Sequence, residues 1–122
     1  MANVINWFEI SAKDFNRAKK FYGEVLGYEL KTEKMGDYDM AFFSNDGEGV
    51  SGSVVYGQGY EPSDKGTLIY FHGGDDLAGM LSKIEPAGGK VVVPKTLITK
   101  DIGFFAVFID TEGNKIALHS QN

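Results

Sequence analysis

One pattern of segments occurs twice in the sequence, and this repeat constrains the fold more than any other feature. An apolar face recurs at helical spacing after Asp14 and stops at Gly27, and a second such segment runs from Asp76 to Ala87 before Gly89. Aspartate commonly caps the first turn of a helix, and glycine commonly ends one. Asp14 and Gly27 are thirteen positions apart, as are Asp76 and Gly89. One strand-like run precedes each helix and three follow it, so the sequence predicts two βαβββ modules.

The predicted strands are short runs of β-branched and aromatic residues, bounded by residues typical of turns. In the first half these runs are NVINWFEISA, YELKTEK, YDMAFFS and GVSGSVVYG, and in the second they are TLIYFHG, KVVVP, GFFAVFID and NKIALHS. We expect one α+β domain over residues 1–122, because a single module would leave one face of its sheet uncovered. The modules are predicted at about 1–57 and 66–122, with a polar linker at about 58–65.

Composition and charge exclude several classes of function. The 122 residues are 43% hydrophobic and carry a formal net charge of -5, which argues against the basic surface that nucleic acids require. The sequence has no cysteine, so disulfides, thiolate metal ligands and a cysteine nucleophile are excluded. No apolar run approaches the roughly 20 residues of a membrane span, and the first residues lack the pattern of a secretory signal. We therefore expect a cytoplasmic protein with neither a nucleic acid nor a membrane partner.

Two motifs and one further segment, AGGKVVVPKT, resemble a known family. The first helix has the pattern Asp-x-x-x-Ala-x-x-Phe-Tyr-x-x-x-Leu-Gly, and the turn before the last strand reads Asp-x-x-Gly-Asn. The residues of these motifs are Asp14, Ala18, Phe21, Tyr22, Leu26, Gly27, Asp110, Gly113 and Asn114. Together they resemble the glyoxalase/bleomycin-resistance/extradiol-dioxygenase superfamily, also called vicinal oxygen chelate proteins, over nearly the whole chain. The resemblance implies that the two modules form a cup of curled, mixed sheets with helices outside, often completed in a homodimer.

The resemblance also implies where a metal would bind in this chain. Metal-dependent members place His, Gln or Glu on the inner faces of particular strands, where a divalent metal chelates adjacent oxygens of the substrate. The corresponding positions here are Trp7, Ser53, Leu68 and Ala117. Because a divalent site needs about three or four nitrogen or oxygen donors, these four residues do not provide one. We expect no cofactor, and the four positions instead become candidate ligand-binding residues.

Strand alternation places further polar and aromatic side chains on the same faces as those four positions. They are Glu9, Tyr70, His72 and His119. Glu9 lies in the apolar run NWFEIS, where desolvation would suit its carboxylate to proton transfer as a catalytic base. Trp7 and Tyr70 would line an apolar pocket for a flat or hydrophobic small molecule.

Three functions are compatible with this pattern, and we prefer the first. The cup binds a small, apolar or aromatic molecule without the divalent metal site, like the family's antibiotic-sequestering members. Alternatively, the protein is an enzyme of lyase, isomerase or dioxygenase type that uses Glu9 as base or a displaced metal site at Glu9, His72 and His119. In the third case the protein acts in dimerisation or interaction, and its cup is vestigial.

Overall fold

The computed structural model describes residues 3–44, 47 and 49–122, which form two βαβββ modules. The first module comprises β1 Trp7–Ser11, α1 Phe15–Leu26, β2 Lys31–Met35, β3 Tyr38–Phe42 and β4 Ser51–Tyr56. The second comprises β5 Tyr70–His72, α2 Ala78–Ile84, β6 Lys90–Thr99, β7 Gly103–Ile109 and β8 Lys115–Ser120. Each module forms a four-stranded mixed sheet, in the orders β1-β4-β3-β2 and β5-β8-β7-β6. The prediction of an α+β fold with two tandem βαβββ modules is therefore confirmed.

The pairing of strands is the same in both modules. The first strand runs parallel to the last strand of its own module, so that Glu9 lies opposite Ser53 and His72 lies opposite His119. The remaining neighbours pair antiparallel. The repeat seen in the sequence is thus also a repeat of strand register.

Helix α1 begins and ends where the sequence predicts. The Asp14 carboxylate accepts a hydrogen bond from the backbone N–H of Arg17 at 3.2 Å, and Gly27 ends the helix with a φ of 84°. Helix α2 is shorter than the predicted segment from Asp76 to Ala87 at both ends. It begins at Ala78, whose N–H donates to the Asp76 side chain, and it ends at Ile84 because Pro86 lacks the amide hydrogen that a continuing helix needs.

Strand β6 is longer than the predicted run KVVVP and continues to Thr99. Pro94 is accommodated because β6 lies at the edge of the second sheet, where a missing backbone donor is tolerated. Shifts of register on both sides of Val93 accompany this extension.

A single apolar core joins the two modules on the helix side of both sheets. The ring of Phe71 lies 5.8 Å from that of Phe8 and 5.9 Å from that of Tyr22, and the rings of Phe21 and Phe108 are 6.0 Å apart. Side chains at alternate strand positions point away from this core. We call the face of each sheet that points away from the core its open face.

The motif residues near the end of the chain hold the modules together by polar contacts. The Asn114 side chain donates to the backbone oxygen of Ser11 at 2.8 Å and accepts from the backbone N–H of Ser63 at 3.0 Å. The Tyr22 hydroxyl donates to Asp110 at 2.6 Å. These residues of the family motifs therefore have a structural role. Neither helix among the described residues is long and apolar enough to cross a membrane.

Candidate functional site

The open face of the first sheet carries Trp7 and Glu9 of β1, Ser53 of β4 and Phe42 of β3. The register aligns Glu9, Ser53 and Phe42 in one row across the three strands. The rings of Trp7 and Phe42 are 6.1 Å apart, and because β4 lies between their strands they lean toward each other across it. Trp7 is still 44% exposed. This face therefore offers an accessible aromatic surface.

Ser53 lies beneath this surface with an unsatisfied hydroxyl group. The residue is completely buried, and its Oγ has no hydrogen-bond partner in the part of the chain that the structure describes. A buried polar group without a partner costs about 1–3 kcal/mol of stability. Native proteins keep few such groups, so this hydroxyl calls for a functional explanation.

Glu9 does not have the desolvated environment that its apolar neighbours in sequence suggest, and that expectation was wrong. Alternation directs Phe8 and Ile10 to the core, whereas Glu9 is exposed on the open face. Its carboxylate accepts a hydrogen bond of 2.6 Å from the hydroxyl of Tyr60. This bond is the main reason that the pKa of Tyr60 is raised from its ordinary value of 10.0.

Tyr60 is a residue of this site that the sequence analysis missed, because it lies in the polar segment predicted as a linker. Its ring packs edge to face against Tyr38 of β3 with centroids 5.7 Å apart, while its hydroxyl reaches Glu9 of β1. The side chain therefore crosses β4, the strand of Ser53. Two glycines just before it, Gly57 and Gly59, are the signal in the sequence that the chain turns back here, and Gly59 has a φ of 91°.

A cleft of about 370 Å³ opens beside β1, within the range of small-molecule sites. Trp7 and Glu9 form part of one wall, and Thr67 and Ile69, which precede β5, form part of the other. A larger groove of about 500 Å³ runs along α1, but it contains none of the candidate residues. Of these two, the cleft beside β1 is the better candidate for the site.

On the open face of the second sheet, three candidate residues lie together in a separate hollow of about 450 Å³. Tyr70, His72 and His119 line it, together with Ile98 and Ile102 among others. Glu9 and His119 therefore belong to different hollows of one chain. Leu68 is half-buried just before β5, and Ala117 is completely buried in β8.

Both histidines of this hollow are engaged by backbone groups. Nδ1 of His72 accepts from the N–H of Gly74 at 2.9 Å, so neutral His72 carries its proton on Nε2. Nε2 of His119 lies 2.7 Å from the carbonyl oxygen of Ile102, which only accepts, so this nitrogen carries the proton. In the neutral form of His119, Nδ1 is then the acceptor nitrogen of the ring.

The family's divalent metal does not fit the residues present at its usual positions. Trp7, Leu68 and Ala117 have no ligand atom, and the fourth residue, Ser53, has a neutral hydroxyl. Within residues 3–44, 47 and 49–122, no three or more His, Cys, Asp or Glu side chains group as metal ligands. The displaced metal site would require Glu9 to lie beside the two histidines. Within one chain, Glu9 lies in a different hollow from them.

Known proteins share this sequence pattern and this fold. A sequence profile described as Glyoxalase/Bleomycin resistance protein/Dioxygenase superfamily matches residues 4–118. A glyoxylase-like domain-containing protein from Didymella fabae is 28% identical over 117 residues, which are 93% of this chain and 91% of that protein.

Solved structures show the same fold at low sequence identity. A glyoxalase/bleomycin resistance protein from Albidiferax ferrireducens superimposes with a TM-score of 0.78 at 15% identity, covering 98% of this chain and all of that one. TnmS3, an antibiotic binding protein from Streptomyces sp. CB03234, superimposes with a TM-score of 0.70 at 22% identity, covering 99% and 98%. The chain spans only 45% of glyoxalase I from Zea mays. The profile match over almost the whole sequence shows that this chain belongs to the Glyoxalase/Bleomycin resistance protein/Dioxygenase superfamily.

Proposed function

We propose that the protein binds a small, apolar or aromatic molecule against the open face of its first sheet, without the divalent metal that many relatives use. The observation that carries the proposal is the exposed Trp7, which leans toward Phe42 beside a cleft of about 370 Å³. The residues at the family's metal positions are non-ligands, so binding rests on aromatic contact and hydrogen bonds. The similarity of fold to the antibiotic binding protein TnmS3 supports this class of function.

The ligand is further proposed to be enclosed in a homodimer. Large apolar side chains that line the hollow of the second module are exposed, and they are Tyr70, Ile98 and Ile102. Exposed apolar surface of this kind marks binding sites or interfaces between proteins. A second copy of the chain would cover this surface, to which His72 and His119 also belong. A cytoplasmic location stays a prediction from the sequence.

The binding function is tested by thermal melting of protein treated with EDTA, in the presence of a panel of flat aromatic compounds. A compound that binds the folded state raises the melting temperature, and mass spectrometry shows whether it leaves unchanged. We expect stabilisation without turnover, lost in Trp7→Ala. Tyr56→Ala is the matched control, because Tyr56 is also an aromatic residue with 44% exposure but points to the opposite face of β4. Stabilisation that requires added metal would overturn the proposal.

A second candidate function is catalysis with Glu9 as general base. The hydrogen bond of 2.6 Å from Tyr60 favours it, since it orients the Glu9 carboxylate on the open face, where a bound compound can give up a proton to it. In that case Glu9→Gln abolishes turnover of a compound identified in the melting panel while its binding remains. The third alternative, a vestigial cup, predicts a filled cavity, whereas the cleft beside Trp7 is open.

A further inference from the structure

We propose that Glu9, Ser53 and the aromatic rings around them bind the ammonium group of an amine-bearing aromatic ligand. The inference rests on the proposed function and deepens it, because it assigns a chemical class to the ligand. The arrangement that carries it is a carboxylate beside a buried hydroxyl that has no partner in the described part of the chain, with aromatic rings on two sides.

The register of the first sheet places the two polar groups side by side. Glu9 and Ser53 are direct partners in the parallel pair of β1 and β4, and both point to the open face. Trp7 and Phe42 lean toward each other across β4 on one side of this pair. On the other side, Tyr60 crosses β4 on its way from Tyr38 to Glu9. The carboxylate and the hydroxyl therefore lie within a frame of three aromatic rings.

Tyr60 acts as a movable cover in this arrangement. Its hydroxyl donates a hydrogen bond to Oε1 of Glu9, and its side chain crosses β4, the strand that carries Ser53. Tyr60 is only partly buried and follows the glycines at 57 and 59, so its side chain can swing away without disturbing the core. Its departure frees an oxygen of Glu9, the residue directly opposite Ser53 in the pair of β1 and β4. The Glu9 oxygen and the Ser53 hydroxyl then accept hydrogen bonds from an ammonium group.

The charges around the site favour a cation over an anion. No lysine or arginine side chain pairs with Glu9 anywhere in the described chain, whose ion pairs all involve other acids. The two lysines that line the cleft, Lys65 and Lys115, interact with Asp64 instead, Lys65 at 3.2 Å. Aromatic faces attract cations and do not attract carboxylates. An ammonium group is thus attracted by the Glu9 carboxylate, which has no ion-pair partner among the described residues, and by the aromatic rings. An anion is repelled by the same carboxylate.

The test compares three probes that share one ring: phenylethylamine, phenylethanol and phenylacetate. Trp7 is the single tryptophan of the sequence, so its fluorescence reports binding at this face directly. We expect phenylethylamine to bind with a Kd about tenfold lower than phenylethanol, the factor that one charge-assisted hydrogen bond supplies. Phenylacetate is expected to bind most weakly. Added salt should weaken the binding of the amine and leave that of the alcohol unchanged.

Two variants with the same change of charge distinguish an effect of the Glu9 site on binding from an effect of the net charge of the protein. Glu9→Gln should remove the preference for the amine and leave binding of the alcohol within about twofold. Glu33→Gln is the control, because Glu33 is an exposed acid of β2, the edge strand at the opposite end of the same sheet from β1. Circular dichroism and melting temperature confirm that both variants are folded, as expected for substitutions at exposed positions.

The outcomes distinguish failure of this inference from failure of the proposed function. Equal affinities for amine and alcohol, with both changing Trp7 emission, would overturn the ammonium site and leave binding of aromatic molecules intact. Equal effects of Glu9→Gln and Glu33→Gln would also overturn the site, because the preference would then come from net charge. If none of the three probes changes Trp7 emission up to its solubility limit while a flat compound of the melting panel does, the ammonium site is overturned and the proposed function stands.

Discussion

The hydroxyl of Tyr22 lies 2.6 Å from Oδ2 of Asp110, and this hydrogen bond joins the helix of the first module to the last turn of the second. Both residues are buried. Burial, together with the Asp110 charge and the hydrogen bond itself, raises the pKa of Tyr22 well above its ordinary value of 10.0. The ring of Tyr22 also packs on Phe43 and Phe71, so its apolar contacts are separable from its hydroxyl.

Tyr22→Phe is predicted to lower the free energy of unfolding by about 1–3 kcal/mol, because it leaves a buried carboxylate oxygen without one of its donors. Urea denaturation at neutral pH measures this loss. Binding of phenylethylamine should not change, since Tyr22 is remote from the open face. An unchanged midpoint of unfolding would show that the hydrogen bond to Asp110 does not help to hold the modules together.

We predict that the protein becomes less stable in acid because Glu112 is protonated there. Burial alone would raise its pKa, but hydrogen bonds from the Arg17 side chain, the Asp14 backbone, the Thr111 hydroxyl and the Lys13 backbone outweigh it, and the pKa lies below the ordinary 4.5. A carboxylate with a lowered pKa in the folded state stabilises above its unfolded pKa, and this contribution is lost as pH falls through the folded value.

The acid effect is measured by comparing the native sequence with Glu112→Gln at several pH values. We expect the variant to be less stable by about 2 kcal/mol at pH 7, where it lacks the charged hydrogen bonds. The difference should shrink as pH falls below 4.5, the ordinary pKa of the group. A difference that stays constant down to strong acid would contradict the assignment to Glu112.

Two buried serines are predicted to respond differently to removal of their hydroxyl groups. Ser53→Ala should not lower stability, because Oγ of Ser53 has no hydrogen-bond partner among the residues that the structure describes. Ser120→Ala should cost about 1–2 kcal/mol, because the Ser120 hydroxyl accepts from Leu77 N–H and donates to the Asn122 carbonyl, both at 2.9 Å. Thermal or urea unfolding compares the two. Equal losses would mean that Ser53 has a partner within the folded chain.

The same Ser53→Ala variant is expected to bind phenylethylamine several-fold more weakly, while Tyr60→Phe is expected to bind it more tightly. Phenylalanine keeps the ring at position 60 but removes the donor that occupies Glu9, so the carboxylate is free for the ammonium group. Titration of Trp7 emission measures both changes. Weaker binding by Tyr60→Phe would show that the Tyr60 hydroxyl assists the ligand and does not compete with it.

The proposed dimer makes a prediction about exposed apolar residues. Ile98 is 40% exposed on β6 and lines the hollow together with Tyr70 and Ile102, so Ile98→Glu should leave the fold intact and place a charge in the interface. We expect sedimentation to give twice the 13.4 kDa chain mass for the native sequence and the single mass for Ile98→Glu. Val4→Glu is the control, because Val4 is a fully exposed aliphatic residue outside the strands. A native protein that sediments as a monomer at all concentrations would contradict the dimer.

The fold could be predicted from sequence because its determinants are local. Asp14 and Gly27 bound a helix with one apolar face, and alternation fixes which strand residues share a face, as with Trp7 and Glu9. The end of α2 at Ile84 was predicted too late, since the apolar pattern continues past Pro86 while the backbone does not. The module boundaries at about 57 and 66 stay a prediction.

The chemistry of the site was harder to predict because it depends on contacts between distant residues. Glu9 and Tyr60 are 51 positions apart, and the composition of the segment around Tyr60 indicates only a linker. Its apolar neighbours suggested that Glu9 is desolvated, but alternation buries those neighbours and leaves Glu9 exposed. The separation of Glu9 from His119 follows from the placement of the two sheets, which strand patterns do not specify.

The most direct test of metal-independent binding is a titration of Trp7 emission in protein treated with EDTA, using a compound that stabilises the protein in the melting panel. We predict a saturable change at one compound per chain, with the same Kd after Ni²⁺, Zn²⁺ or Mn²⁺ is added back. A change of emission that appears only after metal is restored would contradict the account.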